Sequence, residues 1–335
     1  MTKTYEAIVV GAGPAGSVCG YTLAKSNKRV LIIDKEKFPR PKLCAGMLTE
    51  KSIKMLKTVF GRINWDEIID SSYNTFEIYH RRYGFINRGI SSRNKLYLVD
   101  RRIFDNFLLQ KAIQAGCDFQ QKNIVDLKDL KADLIIGADG ANSVVRRSFT
   151  PEINRRDYSL ALEIEAEKSA IEEIKYPRIY FGYVNYGYAW VFPRRDKVVV
   201  GLGGLTAKNK ENMRDLFVNF LKDVLKTDYR TYRILGYPLP FHNFINRPIQ
   251  DNLRLVGDAA GLADPLTGEG IYYAIESGYL AAQSIYSYQP IHQAWHRAKT
   301  MRNIFYSPLF HLLIIHWLKA DQRLCRWYFD LLSGV

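Results

Sequence analysis

The chain has 335 residues, 47% of them hydrophobic, and a formal net charge of +14, which suits a globular protein of two or three compact units around a large core. No apolar run reaches the ~18 residues of a membrane span, the four cysteines form neither a CxxC pair nor a disulfide framework, and the dispersed basic residues carry no nucleic-acid motif. These features argue against an integral membrane protein, a metal site, a disulfide scaffold and a nucleic-acid partner, and they favour a reducing, cytoplasmic setting with an anionic substrate or an anionic membrane surface as partner.

In chain order, Met1-Thr2-Lys3-Thr4 leads without a leader-like segment into a strand at 7–10, and residues 17–25 predict a helix. A second strand at 29–33 closes on Asp34. Between strand and helix stands Gly11-Ala12-Gly13-Pro14-Ala15-Gly16, a G-x-G-x-x-G turn. Gly11 permits the tight turn, Gly13 lets backbone approach a pyrophosphate, and Gly16 lets helix pack on strand. Pro14 and Ala15 open the helix, whose free N–H groups and positive dipole end suit an anion. Asp34 can accept from a ribose. The unit predicts dinucleotide binding.

Residues 35–48 hold two prolines and a glycine and predict a loop; Thr49 caps a helix at 50–60. Stretches 73–83 and 95–99 are strand-like, and 101–115 has the apolar spacing of an amphipathic helix. A strand at 131–138 runs into Asp139, bracketed by Gly137 and Gly140, with a short helix after it. Short strands at 160–166, 178–184, 188–192 and 197–201 predict an antiparallel sheet, followed by a helix at 212–225. A strand from 252 ends in Gly257-Asp258. The loop through Pro265-Leu266-Thr267-Gly268-Glu269-Gly270 then opens a helix at 271–286, and the aromatic tail from 291 is helical. His292 and His296 have metal-pair spacing without the acid of H-E-x-x-H and read as surface residues.

Taken together, the three glycine-acid motifs resemble the FAD-dependent oxidoreductases of the para-hydroxybenzoate hydroxylase superfold. Phe38-Pro39-Arg40-Pro41-Lys42-Leu43-Cys44-Ala45-Gly46-Met47-Leu48, the Asp100-Arg101-Arg102-Ile103-Phe104-Asp105 helix start and Tyr188-Ala189-Trp190-Val191-Phe192-Pro193 are similar to the geranylgeranyl reductase family. The resemblance implies an α/β fold: a discontinuous Rossmann-like FAD-binding domain (1–72, 97–157, 247–290), an inserted antiparallel substrate domain (73–96, 158–246) and C-terminal helices (291–335).

It also implies FAD as cofactor, with NAD(P)H, ferredoxin or another reductant left open. Cofactor contacts are expected from Gly11, Gly13, Pro14, Ala15, Gly16, Asp34, Lys35, Cys44, Ala45, Gly46, Arg101, Asp139, Gly257, Asp258, Pro265, Gly268, Glu269, Gly270 and Ile271. Cys44 is the expected catalytic residue, although Cys-Ala-Gly-Met replaces the family's glycine-rich run. Met47, Tyr188, Trp190, Phe192 and Pro193 are expected to line a pocket for a prenyl or lipid chain, because alternate residues of a strand share one face. The expected reaction is hydrogenation of an isoprenoid double bond; a flavin monooxygenase and an electron-transfer flavoprotein are the alternatives. The apolar segment 307–318 fits an interfacial helix or one packed on the substrate domain.

Overall fold

The computed structural model describes residues 4–91, 94–149, 159–240, 244–283, 289–321 and 323. In order, the elements are β1 (Ala7–Val10), α1 (Pro14–Lys25), β2 (Val30–Asp34), β3 (Met47–Leu48), α2 (Glu50–Phe60), β4 (Ser71–Tyr73), β5 (Thr75–His80), β6 (Gly84–Ile90), β7 (Leu96–Leu98), α3 (Arg101–Gln114), β8 (Asp118–Gln121) and β9 (Leu134–Gly137). There follow α4 (Arg146–Phe149), β10 (Ser159–Glu167), β11 (Arg178–Phe181), β12 (Gly187–Pro193), β13 (Lys197–Leu205), α5 (Met213–Val224), β14 (Leu235–Leu239), β15 (Ile249–Gln250), β16 (Leu253–Leu255), α6 (Ile271–Ala282), α7 (Gln289–Phe305) and α8 (Pro308–Ala320).

The first sheet has the order β15-β16-β9-β1-β2-β8. All pairs are parallel except β15–β16. Central β1 is buried along its whole length, as a strand covered on both faces must be. Its short edges, β8 and β15, are polar or exposed and carry no strand signal in the sequence. The second sheet has the order β14-β10-β13-β12-β11-β5-β6. Its pairs are antiparallel, with the exception of β5–β11. Strand β14, which the sequence pattern does not predict, pairs with β10 from Leu235 to Leu239. A third small sheet, β3-β7-β4, joins the segment after Cys44 to the base of the second.

Period-two alternation gives the second sheet two apolar faces. Ala189, Val191, Val198, Val200 and Leu202 pack with α5 residues Phe217, Phe220 and Leu221. Trp190 and Phe192 face the other way, with Phe76, Ile78, Phe181 and the loop residues Leu43, Ala45 and Met47. Helix α8 lies along edge strand β6, where Asn87 donates to the Leu318 carbonyl at 2.6 Å and Ile315 and Leu318 are buried. The segment thus packs against the second sheet. Arg326, Trp327, Tyr328, Phe329, Cys325 and residues 284–288 lie outside the described residues. Among the described residues, no helix is long and apolar enough to cross a membrane.

Capping follows the sequence. Thr49 accepts from the Ser52 N–H, Asp100 from Arg102 and Asn212 from Arg214. Helices α1 and α6 meet closely: a Cβ on Gly278 would lie 2.2 Å from the Ala15 carbonyl oxygen. We expect Gly278→Val to wedge the two helices apart and lower stability by about 3 kcal/mol, with flavin lost on purification; calorimetry and the flavin-to-protein absorbance ratio check both.

Candidate active site

The G-x-G-x-x-G turn is built without spare room. Gly11 has φ +106°, and a Cβ there would meet the Ala138 carbonyl oxygen at 2.3 Å; one on Gly16 would sit 1.8 Å from the Gly11 carbonyl oxygen. Gly13 differs. It caps α1 without a side-chain bond, and a Cβ there would meet only the Arg40 guanidinium, at 3.7 Å. The helix start is therefore open to an anion at the position the motif reserves for one. Asp34 accepts from the Ala12 N–H at 2.7 Å and the Glu36 N–H at 2.9 Å. It braces the turn while retaining lone pairs for a hydroxyl. Lys35 is exposed beside Glu36.

The distant motif arrives at the same place. A Cβ on Gly257, at φ +55°, would touch the Ala15 Cβ at 3.1 Å, and the Gly257 N–H donates to the buried Ser277 hydroxyl. The Asp258 carboxylate lies near Gly270, at the start of α6. Next, Asp264 organises the loop. It accepts from the Leu266 and Thr267 N–H groups and the Thr267 hydroxyl, while Gly268 turns at φ +72°. Pro265 and Ile271 are buried under this turn. The Glu269 side chain goes to Lys51 at 2.6 Å and to the Thr49 hydroxyl at 2.6 Å. Burial pushes its carboxyl up, against the pull of Lys51. Its side chain therefore anchors α2, and its backbone is what faces the cleft.

Asp139 has a local task as well. Its carboxylate accepts from the Ser143 hydroxyl and the Val144 N–H, capping the turn into α4. Arg101 is buried and makes a bidentate pair with Asp105, at 2.7 and 2.8 Å. Burial alone would lower its pKa, but Asp105 and then Cys44 raise it. Arg101 thus stands beside Cys44, fixed by its own helix, and Arg40 joins the same Asp105 at 3.4 Å.

The loop after β2 alternates like a strand. Leu43, Ala45 and Met47 pack on the second sheet, while Cys44 packs with Val18, Leu48 and Ile271 on the nucleotide side. The Gly46 N–H donates to the Cys44 sulfur at 3.4 Å. Gly46 itself turns at φ +73°, and a Cβ there would meet the Val99 carbonyl oxygen at 2.2 Å. Tyr188 of the aromatic strand donates to the Thr267 carbonyl, and burial pushes its phenol up. Its ring sits 5.9 Å from Trp190. Phe192 is buried on the same face. The Pro193 carbonyl, by contrast, accepts from the Tyr73 hydroxyl at 2.8 Å, at the base of the sheet. His296 is exposed, the side chain of His292 lies outside the described residues, and among the described residues no group of three or more His, Cys, Asp or Glu side chains is gathered as for a metal ion.

A family model described as "FAD binding domain" matches residues 109–287, and one described as "NAD(P)-binding Rossmann-like domain" matches 9–40. An uncharacterized protein of Methanosarcina barkeri is 34% identical over 302 residues, covering 85% of this chain and 75% of its own. The digeranylgeranylglycerophospholipid reductase 2 of Methanosphaera stadtmanae is 30% identical over 313 residues, covering 84% and 78%. The chain belongs to the geranylgeranyl reductase family of FAD-dependent oxidoreductases. A geranylgeranyl bacteriochlorophyll reductase-like structure from Thermoplasma acidophilum shares the fold, with a TM-score of 0.72 at 23% identity over 99% of this chain and 92% of that one.

The residues present fit FAD. The open helix start at Gly13 suits the pyrophosphate, and the Asp258 carboxylate lies at the other end, near the start of α6. Three residues lie between them, of which Arg40 and Lys42 belong to the family-like loop and Tyr237 carries no sequence signal. Arg40 overhangs the helix start. Lys42 lies over the Tyr237 ring, 2.8 Å from its centroid, and burial lowers its pKa from 10.5 to about 7, opposed by Asp258. Tyr237 comes from β14, and a Cβ on Gly140 would lie 3.3 Å from its hydroxyl. Only the fold reveals that these side chains share a cleft.

Between about pH 7 and pH 10 the unfolded chain holds a proton on Lys42 that the folded chain does not, so stability from this group rises with pH. Denaturation of FAD-stripped protein across that window is expected to show the rise, and Lys42→Met to flatten it. Tyr188→Phe is expected to lower stability by about 1 kcal/mol with flavin retained, which urea titration and flavin absorbance check.

Proposed function

We propose that this oxidoreductase hydrogenates carbon–carbon double bonds of an isoprenoid, geranylgeranyl-type chain. One observation carries the reading. The strand bearing Tyr188, Trp190 and Phe192 shares its face with Leu43, Ala45 and Met47 from the Cys44 loop, and Tyr188 is bonded to the loop that opens α6. An apolar aromatic wall therefore adjoins the place where the flavin end of the cofactor fits. A 30%-identical relative named as a lipid reductase supports the same substrate class.

Reduced FAD, when bound, supplies the two-electron chemistry. The chain's own residues bind, orient and exclude water. Gly11, Gly13, Pro14, Ala15 and Gly16 hold the pyrophosphate, with Arg40 above them, and Asp34 takes the adenosine ribose. Gly257 and Asp258 receive the ribityl chain. The backbone from Pro265 to Ile271, with Gly268, Glu269 and Gly270, presents the N-terminus of α6 to the flavin, favouring negative charge there. Ala45 and Gly46 shape the wall beside Cys44, and Met47, Tyr188, Trp190 and Phe192, packed on one face of the second sheet, would offer the chain an apolar wall whose rings suit cationic character at the alkene. Arg101 holds its charge at Cys44 through Asp105.

In this reading the division of the chain is 1–72, 97–157 and 247–290 for the cofactor, 73–96 and 158–246 for the substrate, and 291–335 for the C-terminal helices. Met301, Ile304, Leu313 and Trp317 on α7 and α8, with Phe85 and Ile90 on β6, are exposed apolar groups. On a chain of net charge +14 they suit contact with an anionic membrane surface from which a lipid substrate is drawn.

Incubation of dithionite-reduced protein with prenyl lipids, followed by mass spectrometry, is expected to show gains of two hydrogens. A gain of oxygen in the presence of NAD(P)H and air would instead establish a monooxygenase. No product of either kind would leave an electron carrier.

A further inference from the structure

Behind the start of α6, charged and phenolic side chains from two helices meet in one cluster. Glu269 precedes Gly270, the N-cap of α6, yet its carboxylate goes to the N-terminus of α2. One oxygen accepts from the hydroxyl of Thr49, the α2 N-cap, at 2.6 Å and from the Ser52 hydroxyl at 3.4 Å. The other meets Lys51 Nζ at 2.6 Å. The positive end of the α2 dipole favours the same charge. The Glu269 side chain is only 7% exposed and that of Lys51 23%, so the pair is held largely out of water.

Lys51 is also held from the α6 side. Its Nζ lies 4.5 Å from the centroid of the Tyr272 ring and 4.9 Å from that of Tyr273, a cation against two aromatic rings. The rings are fixed by their own hydroxyls: Tyr272 donates to Glu276 at 2.7 Å, and Tyr273 reaches Asp264 at 3.5 Å. Asp264 is the residue that folds the loop before α6. The ammonium thus has a seat on α6 that does not depend on the Glu269 carboxylate.

A buried ion pair contributes little net stability, because desolvation offsets the attraction. Apolar groups of similar shape would join α2 to α6 as firmly. What they could not do is place two opposite charges, each cancelling the other, beside the first turn of α6. In a poorly hydrated setting, loss of either charge leaves the other acting at full strength on its surroundings. We propose that Lys51 and Glu269 are positioning residues that set the reduction potential of the bound flavin: by cancelling each other, they leave the N-terminus of α6 to supply the field in which reduced flavin carries its negative charge. The proposal rests on the fit of the flavin end at the start of α6 and not on the identity of the substrate.

The test is the midpoint potential of the flavin in the FAD-loaded protein, read against reference dyes at about pH 8.5, between the ordinary carboxylate and ammonium pKa values. Glu269→Gln keeps the shape and an acceptor for Thr49 but leaves Lys51 charged in its tyrosine seat. It is expected to favour reduced flavin about tenfold, a rise of about 30 mV for a two-electron couple. Lys51→Met leaves the carboxylate uncompensated and is expected to move the potential as far the other way; it serves alone if Glu269→Gln does not fold. Combining the two substitutions removes both charges and is expected to restore the wild-type potential. Thr49→Val, which removes a hydrogen bond and no charge, is expected to leave it unchanged. Looser packing alone would shift every variant in one direction, the double variant furthest. That pattern, or a wild-type potential in both single charge variants, overturns the proposal. Neither result depends on a lipid: unshifted potentials would leave the reductase reading standing, and a failure to reduce prenyl lipids would leave shifts of opposite sign intact.

Discussion

The structure depends on three close backbone approaches at the first turn of α1, two of them onto Ala15. Gly16 stacks on the carbonyl of Gly11, Gly257 presses on the Ala15 side chain, and Gly278 packs against the Ala15 carbonyl. None of these contacts admits a Cβ without displacing a neighbour. The approach brings the first turn of α1 against the end of β16 and the middle of α6, segments separated by more than two hundred residues of chain. A cofactor laid along this seam would have the N-terminus of α1 at one half and the N-terminus of α6 at the other, where both helix dipoles favour negative charge.

The second dependence is the loop from Leu43 to Met47. It is too short and too irregular to form a sheet of its own, yet it alternates between two cores. Leu43, Ala45 and Met47 belong to the aromatic face of the second sheet, and Cys44 to the helices of the nucleotide side. Gly46 fixes the loop against the Val99 carbonyl, and the small β3-β7-β4 sheet anchors its C-terminal end. Tyr188 closes the circuit by bonding to Thr267. Cys44 is thereby held from the sheet below, from Arg101 beside it, and by the start of α6 close to it.

Polar side chains divide according to what they hold. Asp139 and Asp264 spend their carboxylates on local backbone N–H groups, and Glu269 spends its own on Lys51 and Thr49. All three shape the cleft by folding its walls. Asp258 lies by Gly270 at the start of α6, and Lys42 lies over the Tyr237 ring. Glu163 belongs to neither group: it is buried on β10, and one oxygen of its carboxylate has no hydrogen-bond partner.

Much of this was legible in the sequence, because it is governed by short-range rules. The glycine spacing, the apolar strands before it and the acid after it specify a nucleotide-binding turn through local sterics alone. Alternation fixed Tyr188, Trp190 and Phe192 on one face, and the caps at Thr49, Asp100 and Asn212 followed from side-chain chemistry. The polar edge strands β8 and β15, the pairing of β14 with β10, and the parallel β5–β11 contact were not legible, since nothing in their local pattern records a partner. The same holds for Lys42 over Tyr237. Glu163 stood visible within an apolar strand, Leu160-Ala161-Leu162-Glu163-Ile164. That it stands in one cross-strand row with Gly201 and Trp190, where the missing Cβ of Gly201 leaves room for the indole, is decided only when the whole chain has folded.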